Sequence, residues 1–373
     1  MSDPSLYVHI PFCETKCPYC DFNSFAVAGL DVDGYLDALA REMDARGVPR
    51  NPPTIFLGGG TPTVVEPAQL DRYLADLVAR VEPDPHREFT VEANPGSLTA
   101  EKIAVLEKHG VNRLSLGGQA LFDHHLRTLG RVHTAAELEE AVAMAQASGI
   151  ARLNVDFIYG VPGMQRREWI ETLDRALQWD PGHFSLYALI YEPGTEFTAR
   201  RRRGTLQPIE EEDELFLFRY TARRLREAGY ERYEISNFAK PGLACKHNLS
   251  YWNNESYAGF GAGAYSYLGR RRQANERRLD RYRQLVETQG HAIVSEERLD
   301  DEAAAREAVA FALRTAAGAD LDAIGARYGV DAPQLFTPTA RRLVQARLLE
   351  RDAPLRLARR GWAVADGVAS EFL

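Results

Sequence analysis

Three of the four cysteines in this sequence lie within eight residues, as Cys13, Cys17 and Cys20 in the spacing C-x3-C-x2-C. Thiolates this close together on one loop can bind three corners of a cubane iron–sulfur cluster, which leaves the fourth iron without a protein ligand. An open iron of this kind can bind and activate another molecule. Structural zinc is the alternative, but it usually takes four ligands, and only His9 is near enough to complete a set. The spacing therefore favours a 4Fe-4S cluster with one open iron.

A glycine run and several polar side chains follow or end predicted strands. Three consecutive glycines, Gly58 to Gly60, let the backbone approach a ligand closely. Carboxylates and amides can hold ribose hydroxyl groups, and an arginine can pair with a carboxylate through two hydrogen bonds. The glycine run alone is equally well explained as a turn, and each polar residue alone is better explained as a capping or surface residue. Together they indicate a site for a ligand with a sugar, a carboxylate and an amine. The polar candidates are Glu92, Gln119, Arg131 and Asp156.

The segment from His247 to Trp252 combines an imidazole with two large aromatic side chains. Histidine is a common axial ligand of haem iron, and flat aromatic surfaces suit a porphyrin. The alternative is a structural loop in which His247 and Asn248 satisfy buried backbone groups, and composition alone favours this alternative. We expect Cys245 to be an ordinary, partly buried thiol, with haem thiolate ligation as the less favoured alternative.

The candidate residues fall at the ends of short apolar segments that alternate with amphipathic segments of helical length. This alternation predicts a parallel sheet with right-handed crossovers. Six units are fewer than the eight of a closed barrel, so we expect an α/β fold with a partial (β/α)6 TIM-like barrel. In such a sheet the carboxyl ends of the parallel strands meet at one face, so the candidate residues would surround one site. The predicted strands are Leu6–Ile10, Thr54–Leu57, Glu88–Glu92, Arg113–Leu116, Arg152–Asp156 and His183–Tyr187, and the predicted helices are Val32–Ala45, Pro67–Val81, Thr99–His109, Ala135–Ser148, Arg167–Trp179 and Glu210–Ala228.

The sequence divides into three regions. Residues 1–230 contain the predicted barrel, and residues 231–295 are predicted to extend it and to carry the segment with His247. Residues 296–373 predict a small, mainly helical C-terminal domain that resembles a winged helix. Winged helices often bind DNA, but a fold alone does not define a function, and no helix here has a basic reading face. We expect a cover or docking element. Its predicted elements are helices at 302–315, 321–328 and 337–348, a short strand at 355–357 and a last helix ending at Leu373.

Composition and charge exclude several classes of protein. The chain has 373 residues and a net charge of -8, which argues against a dedicated nucleic-acid binder. No apolar segment approaches the ~20 residues of a membrane helix, and the start does not resemble a signal peptide. We therefore expect a cytoplasmic protein whose cysteines bind metal. Arg200 to Arg203 and Arg270 to Arg272 are basic runs that favour solvated surfaces; the alternative is docking of porphyrin carboxylates or peripheral contact with an acidic membrane.

Taken together, these motifs resemble those of the radical S-adenosylmethionine (SAM) superfamily, in its coproporphyrinogen oxidase-like branch, over essentially the whole chain. Within this branch the sequence is most similar to the HemW haem chaperones, whose His-Asn-x-x-Tyr-Trp signature matches His247 to Trp252. The resemblance implies a partial radical SAM barrel followed by a small C-terminal domain. The segments that carry it are Cys13–Phe22, Gly58–Pro62, Leu129–His133, Tyr159–Gly163, Tyr233–Ala239 and His247–Trp252.

The resemblance also implies which residues hold the cofactors. Cys13, Cys17 and Cys20 would ligate a 4Fe-4S cluster whose open iron binds the amine and carboxylate of S-adenosylmethionine. His247 would handle haem as cargo. The positions expected to contact S-adenosylmethionine, together with Tyr19 beside the cluster, are Tyr7, Tyr19, Gly59, Gly60, Thr61, Glu92, Gln119, Arg131 and Asp156.

The sequence departs from the branch at a few positions. Phe22 stands where the true oxidases carry a further cysteine, which argues against porphyrinogen oxidation, and we expect Tyr19 and Phe22 to shield the cluster. Tyr265 stands where relatives often have histidine, which disfavours a haem ligand from that loop and leaves His247 as the favoured one. On either side of Gln119, an apolar residue and a serine are replaced by Gly118 and Ala120.

These observations predict a haem chaperone that carries the cluster and S-adenosylmethionine and hands haem to an acceptor such as a respiratory enzyme. The cluster would be structural or regulatory, for example in controlling a homodimer, so we assign no catalytic residue. The alternative is an oxygen-independent coproporphyrinogen III oxidase, in which a 5′-deoxyadenosyl radical abstracts hydrogen from the propionate side chains. A third hypothesis is a radical enzyme with another substrate.

Overall fold

Six parallel strands form the centre of a twelve-stranded sheet, and they follow one another in chain order as the alternating pattern predicts. The computed structural model describes residues 3–352 and 354–373. All six predicted strands are present, each extended by one to three residues. The strands are β1 Ser5–Ile10, β2 Phe12–Cys13, β3 Phe25–Ala26, β4 Thr54–Gly59, β5 Glu88–Ala93, β6 Arg113–Gln119, β7 Arg152–Tyr159, β8 His183–Ala188, β9 Glu231–Arg232, β10 Asn237–Ala239, β11 Tyr257–Phe260, β12 Tyr265–Leu268, β13 Arg271–Asn275 and β14 Ile293–Arg298.

The sheet continues beyond the six central strands at both edges. Next to β8, the short strands β10 and β9 add an antiparallel pair, as the apolar pattern of residues 230–238 predicts. Next to β1 lies β11, which is parallel to it, and β12, β13 and β14 continue the sheet in antiparallel order. The segment that follows the barrel in sequence therefore returns to the first strand, which places it beside the cysteine loop.

The helices cover the sheet, and local capping explains several of their ends. Thr99 and Thr134 each accept a hydrogen bond from the third backbone N–H of the helix that follows. Gly110, Gly149 and Gly229 each follow a predicted helix, where a glycine favours a left-handed cap. Gly110 and Gly229 have the positive φ of such a cap, whereas Gly149 does not. The helices are α1 Val32–Arg46, α2 Pro67–Val78, α3 Ala100–Lys108, α4 Asp123–Thr128, α5 Ala135–Gln146, α6 Arg166–Gln178, α7 Glu196–Arg202, α8 Glu211–Glu227, α9 Lys246–Trp252, α10 Leu279–Gln289, α11 Asp301–Ala312, α12 Leu321–Tyr328, α13 Ala332–Gln345 and α14 Ala365–Ser370, with short 3-10 turns at Pro62–Val64, Pro95–Ser97 and Gly361–Val364.

Helices α4, α7, α9 and α10 are absent from the sequence prediction. The first three have six or seven residues, which is too few for an apolar period to stand out, whereas α10 has 11 residues. The segment from His247 to Trp252 is therefore helical, where the structural alternative predicts a loop. This difference matters for the site, because a helix fixes the direction of each of its side chains.

The C-terminal domain is mainly helical and has a hydrophobic core of its own. Helices α11 to α14 pack around buried side chains such as Val309, Leu313 and Phe336. The short strand predicted at 355–357 forms single antiparallel bridges, from Leu355 to Ala319 and from Leu357 to Leu349. In residues 3–352 and 354–373, no helix is long and apolar enough to cross a membrane.

Candidate functional site

The carboxyl ends of the parallel strands surround a cavity of about 450 Å³, as expected for this architecture. Tyr7 and His247 are predicted site residues that do not line it. Tyr7 faces a second, adjoining cavity of about 360 Å³. The predicted residues that line the first cavity are Cys13, Cys17, Tyr19, Cys20, Gly59, Gly60, Thr61, Glu92, Gln119, Arg131 and Asp156.

The three clustered cysteines are free, partly exposed thiols on the loop after β1. The Thr61 hydroxyl donates to Cys13 Sγ at 3.8 Å, and Arg131 Nη1 donates to Cys17 Sγ at 3.6 Å. Burial raises the pKa of the Cys13 thiol and raises that of Cys20 to about 11. Iron would displace these thiol protons, and a guanidinium beside the sulfur atoms favours an anionic sulfur site. The donor set fits an iron–sulfur cluster.

The glycine-rich turn after β4 holds the cysteine loop against the sheet. Gly60 donates its N–H to the Ile10 carbonyl at 2.9 Å, and Thr61 donates to the Phe12 carbonyl at 2.7 Å. A Cβ at Gly60 would overlap the backbone of Phe12, and Gly59 has a φ of +106° and faces the ring of His9. Only glycine allows this approach. The run therefore positions the cysteine loop in addition to lining the cavity.

Arg131 links the cysteine loop to β5 and β6. Its Nη2 donates to the carbonyl of Gly117 at 3.0 Å and to Asn94 Oδ1, and its buried Nε has no partner among the described residues. Asn94 in turn donates to the Thr61 hydroxyl at 2.7 Å. Asn94 follows the same strand as Glu92 but is not among the residues predicted to contact the ligand. The orphaned Nε is an unused donor, and its burial at the cavity wall fits a polar ligand.

Gln119 reaches the cavity through a bulge at the end of β6. The pairing register with β7 shifts between Gly117 and Gln119, and Gln119 has a φ of +65°. A Cβ at Gly118 would approach the Leu138 side chain to 2.7 Å. The glycine that replaces an apolar residue thus packs closely against Leu138 at this bulge, and a larger residue would require the Leu138 side chain to shift.

Glu92 and Asp156 place two carboxyl groups on the same cavity. Burial and the charge of Asp156 raise the pKa of Glu92 to about 8, and burial raises the pKa of Asp156. Glu92 accepts a hydrogen bond from the N–H of Gly59 at 3.0 Å, and Asp156 accepts one from Asn154 at 2.6 Å. These carboxyl groups can accept hydrogen bonds from ligand hydroxyl or ammonium groups.

Replacing Glu92 by Gln is expected to stabilise the S-adenosylmethionine-free protein at alkaline pH. Glu92 in the folded protein binds its proton more tightly than the exposed glutamate of the unfolded chain does. The protonated Glu92 therefore contributes stability at low pH, and this contribution is lost as the pH rises through about 8. Glu92→Gln removes that loss, so its free energy of unfolding at pH 9 should exceed that of the wild type by roughly 1–3 kcal/mol. Denaturant unfolding from pH 5 to 9 measures this difference. The exposed Glu101→Gln variant is the control, and an equal effect of both variants would contradict the assignment.

Phe22 does not shield the cluster loop as the sequence predicts. Its side chain is 62% exposed and lies where the two cavities adjoin, whereas Tyr19 packs against Phe197 with ring centroids 6.1 Å apart. The reason is local: Lys16 Nζ donates to the carbonyls of Phe22 and Ser24, which closes the loop with the Phe22 side chain outward.

His247 lies near the amino ends of β4 and β5, away from the cysteine loop, and lines neither cavity. Its side chain is buried, its Nδ1 lies 2.7 Å from the Thr54 hydroxyl, and its Nε2 lies 2.9 Å from the Tyr251 hydroxyl. Burial lowers the pKa of His247 to about 3. Both ring nitrogens are therefore occupied, and ligation of haem by His247 would require these contacts to break. The haem-handling role of His247 stays a prediction.

A buried ion pair fixes the segment that contains His247. Glu88 and Arg113 are both almost fully buried, and Arg113 Nε donates to Glu88 Oε2 at 3.1 Å. Glu88 Oε1 accepts from the backbone N–H of His247 at 3.0 Å and from the thiol of Cys245 at 3.3 Å. Cys245 is thus fully buried rather than partly buried, and burial raises its pKa to about 12. The sequence does not point to Glu88 or Arg113, because the two residues are far apart in the chain and meet only when β5 and β6 lie side by side.

A partial α/β barrel with three cysteines after its first strand defines a radical SAM protein. The family model described as the radical SAM superfamily matches residues 7–176, and the model described as the HemN C-terminal domain matches residues 299–364. The structure of coproporphyrinogen III oxidase (HemN) from Escherichia coli superimposes with a TM-score of 0.87 at 24% identity. That comparison covers 100% of this chain and 90% of the other, and it supports the fold.

Curated relatives are similar along the whole chain. The heme chaperone HemW of Bacillus subtilis (strain 168) is 36% identical over 99% of this chain and 99% of its own length. The heme chaperone HemW of Lactococcus lactis subsp. lactis (strain IL1403) is 33% identical over 99% of this chain and 97% of its own length. The chain belongs to the HemW family of the radical SAM superfamily.

Proposed function

We propose that this protein is a haem chaperone, which binds haem and delivers it to acceptor proteins such as a respiratory enzyme. The observation that carries the proposal is similarity to two HemW heme chaperones over 99% of the chain. The alternative function is coproporphyrinogen III oxidation. It is the activity named for the Escherichia coli structure that has the same fold at 24% identity. Phe22 lies at the junction of the two cavities, at the position where the true oxidases carry a further cysteine. Its apolar ring in place of that thiol disfavours the oxidase alternative.

The cofactor site belongs to the same proposal. Cys13, Cys17 and Cys20 would hold a 4Fe-4S cluster, which when bound supplies an open iron for the amine and carboxylate of S-adenosylmethionine. Arg131 lies beside the sulfur atoms and balances their charge. The carboxyl group of Glu92 faces the cavity, where it would accept hydrogen bonds from ribose hydroxyls. The cluster would regulate a homodimer.

Haem titration of the anaerobically reconstituted protein tests the proposed function. We expect stoichiometric binding of ferric haem, followed by transfer to apo-myoglobin as a probe acceptor. The same sample should form no protoporphyrinogen IX when it is incubated with coproporphyrinogen III, reductant and S-adenosylmethionine. Formation of protoporphyrinogen IX, or failure to bind haem, would overturn the proposal.

A further inference from the structure

We propose that His124, His125 and Glu168 form a zinc site that is separate from the cysteine loop. The two histidines lie on α4, and Glu168 lies in the first turn of α6. The inference goes beyond the proposed function and does not depend on it, because it concerns neither haem nor the cluster.

The three side chains bring their donor atoms together. His124 Nε2 lies 3.1 Å from Glu168 Oε1, and His125 Nε2 lies 3.2 Å from Glu168 Oε2. One ligand atom from each of the three residues can be chosen so that all lie within 4.8 Å of one another. Zinc binds imidazole nitrogen and carboxylate oxygen at about 2.0–2.2 Å, so the donor atoms on one ion lie roughly 3–4 Å apart. A small movement of these side chains would therefore place the ion among them.

The two histidines are consecutive in the chain, yet both rings face the same carboxyl group. Consecutive residues of a helix point in directions about 100° apart and do not face each other. Here the two ring centroids lie only 4.0 Å apart, and each Nε2 lies beside an oxygen of Glu168. The side chains thus converge from both positions, as ligands of a single ion must.

The surroundings hold two of the ligands in place and leave the third adjustable. His125 is 1% exposed, and its ring packs edge to face against Phe122. The backbone N–H of Gln165 donates to Glu168 Oε2 at 2.8 Å, and hydrogen bonds of this kind orient the ligands of metal sites. The side chain of His124 is 51% exposed, so it can close over the ion. Solvent on that side would supply a water molecule as the fourth ligand.

The donor atoms select the kind of metal. Imidazole nitrogen suits Zn²⁺ and other transition metals, whereas Mg²⁺ and Ca²⁺ prefer oxygen ligands. Two imidazole N–H groups that donate to one carboxylate are the alternative account of the same geometry. The two accounts differ in one measurable property, because only the first predicts zinc binding that depends on both histidine and carboxylate.

A zinc ion at this position would hold α4 against the barrel. Gln119 precedes α4 and Arg131 follows it, and both of them line the first cavity, whereas the three zinc ligands do not. The backbone N–H of Arg131 donates to the carbonyl of Leu126 in α4 at 2.9 Å. The ion would therefore stabilise, from outside the cavity, the segment between two of the predicted S-adenosylmethionine contacts.

Zinc titration of the anaerobically reconstituted protein tests this inference, because the cluster then occupies the cysteine thiols that could also bind zinc. We expect stoichiometric binding by isothermal titration calorimetry, without displacement by an excess of Mg²⁺. His124→Ala should weaken zinc affinity at least about tenfold. Glu168→Gln should do the same, although its amide oxygen can still accept the capping hydrogen bond of α6. His86→Ala is the matched control, because His86 is an exposed histidine elsewhere in the chain, and it should bind zinc as the wild type does.

Hydrogen exchange provides a second measurement, which reports on the segment that the ion would hold. Zinc should increase the protection of the Arg131 amide in the wild type and in His86→Ala, but not in His124→Ala. Zinc in large excess over its Kd should also raise the melting temperature of the wild type by a few °C. Melting curves recorded without zinc confirm that each variant is folded, and the exposed His124 tolerates substitution.

The inference is overturned if the wild type binds no zinc, or if His124→Ala and Glu168→Gln bind it with the affinity of the wild type. Displacement of the zinc by Mg²⁺ would also overturn it, because surface carboxylates and not imidazoles would then hold the ion. None of these outcomes depends on haem binding, so the proposed function is tested separately.

Discussion

Cys17→Ser abolishes the cluster-bound iron of the reconstituted protein, whereas Cys245→Ser retains it: this is the result we expect from the positions of the four thiols. Cys17 is one of three partly exposed thiols on the cavity wall, and Arg131 donates to its sulfur. A cubane cluster held by three protein thiolates cannot keep its iron when one is replaced by a weakly coordinating hydroxyl. Iron and sulfide content after anaerobic reconstitution, together with the visible absorption of the cluster, measure the loss.

Cys245→Ser is the matched control, because it makes the same cysteine-to-serine change at the one cysteine outside the loop. The Cys245 side chain is buried and donates to Glu88, a contact that a serine hydroxyl can retain. Cys13→Ser and Cys20→Ser should behave as Cys17→Ser does. Full iron content in any of these three variants, or its loss in Cys245→Ser, would show that the cluster is held differently.

Glu88→Ala is expected to destabilise the protein by about 3–5 kcal/mol. The change leaves the guanidinium of Arg113 buried without its carboxylate partner. It also removes the acceptor for the N–H of His247 and for the thiol of Cys245. The penalty is the cost of an uncompensated buried charge together with two lost hydrogen bonds.

Chemical unfolding and hydrogen exchange measure this effect together. The backbone amide of His247 should lose much of its protection in Glu88→Ala, because its acceptor is gone. The control is Glu82→Ala, which removes an exposed pair with Arg50 and should cost about 0–1 kcal/mol. A stability change no larger than that of Glu82→Ala, with the amide still protected, would contradict a structural role for the ion pair.

Short-range sequence signals define the barrel and the cofactor side of the site. The six central strands and most of the long helices depend on neighbouring residues, so the pattern of residue types predicts them. The residues at the carboxyl ends of the strands converge on one cavity, because all parallel strands end at the same edge of the sheet. The pattern misses α10 and the short helices α4, α7 and α9, and it wrongly predicts a left-handed cap at Gly149.

Contacts between distant segments decide the features that the pattern misses. Asn94 joins Thr61 to Arg131, and the pair of Glu88 and Arg113 joins neighbouring strands, so neither shows in any one segment. The exposure of Phe22 depends on where Lys16 finds carbonyl acceptors.

The sequence by itself determined the three-cysteine loop and the partial barrel, and its motifs resemble those of the family to which the chain belongs. The signals of the loop and the barrel are spacing and periodicity, which are properties of the chain and require no knowledge of its path. Only the tertiary structure decided the position of His247, whose motif folds back to the amino ends of β4 and β5, where Thr54 and Tyr251 occupy its nitrogens. It also decided that β11 and β12 lie beside β1 and bring Tyr265 to the second cavity. Hydrogen bonds and burial between distant segments decide which side chains are free to bind a ligand. The type of a residue reveals neither its hydrogen bonds nor its burial.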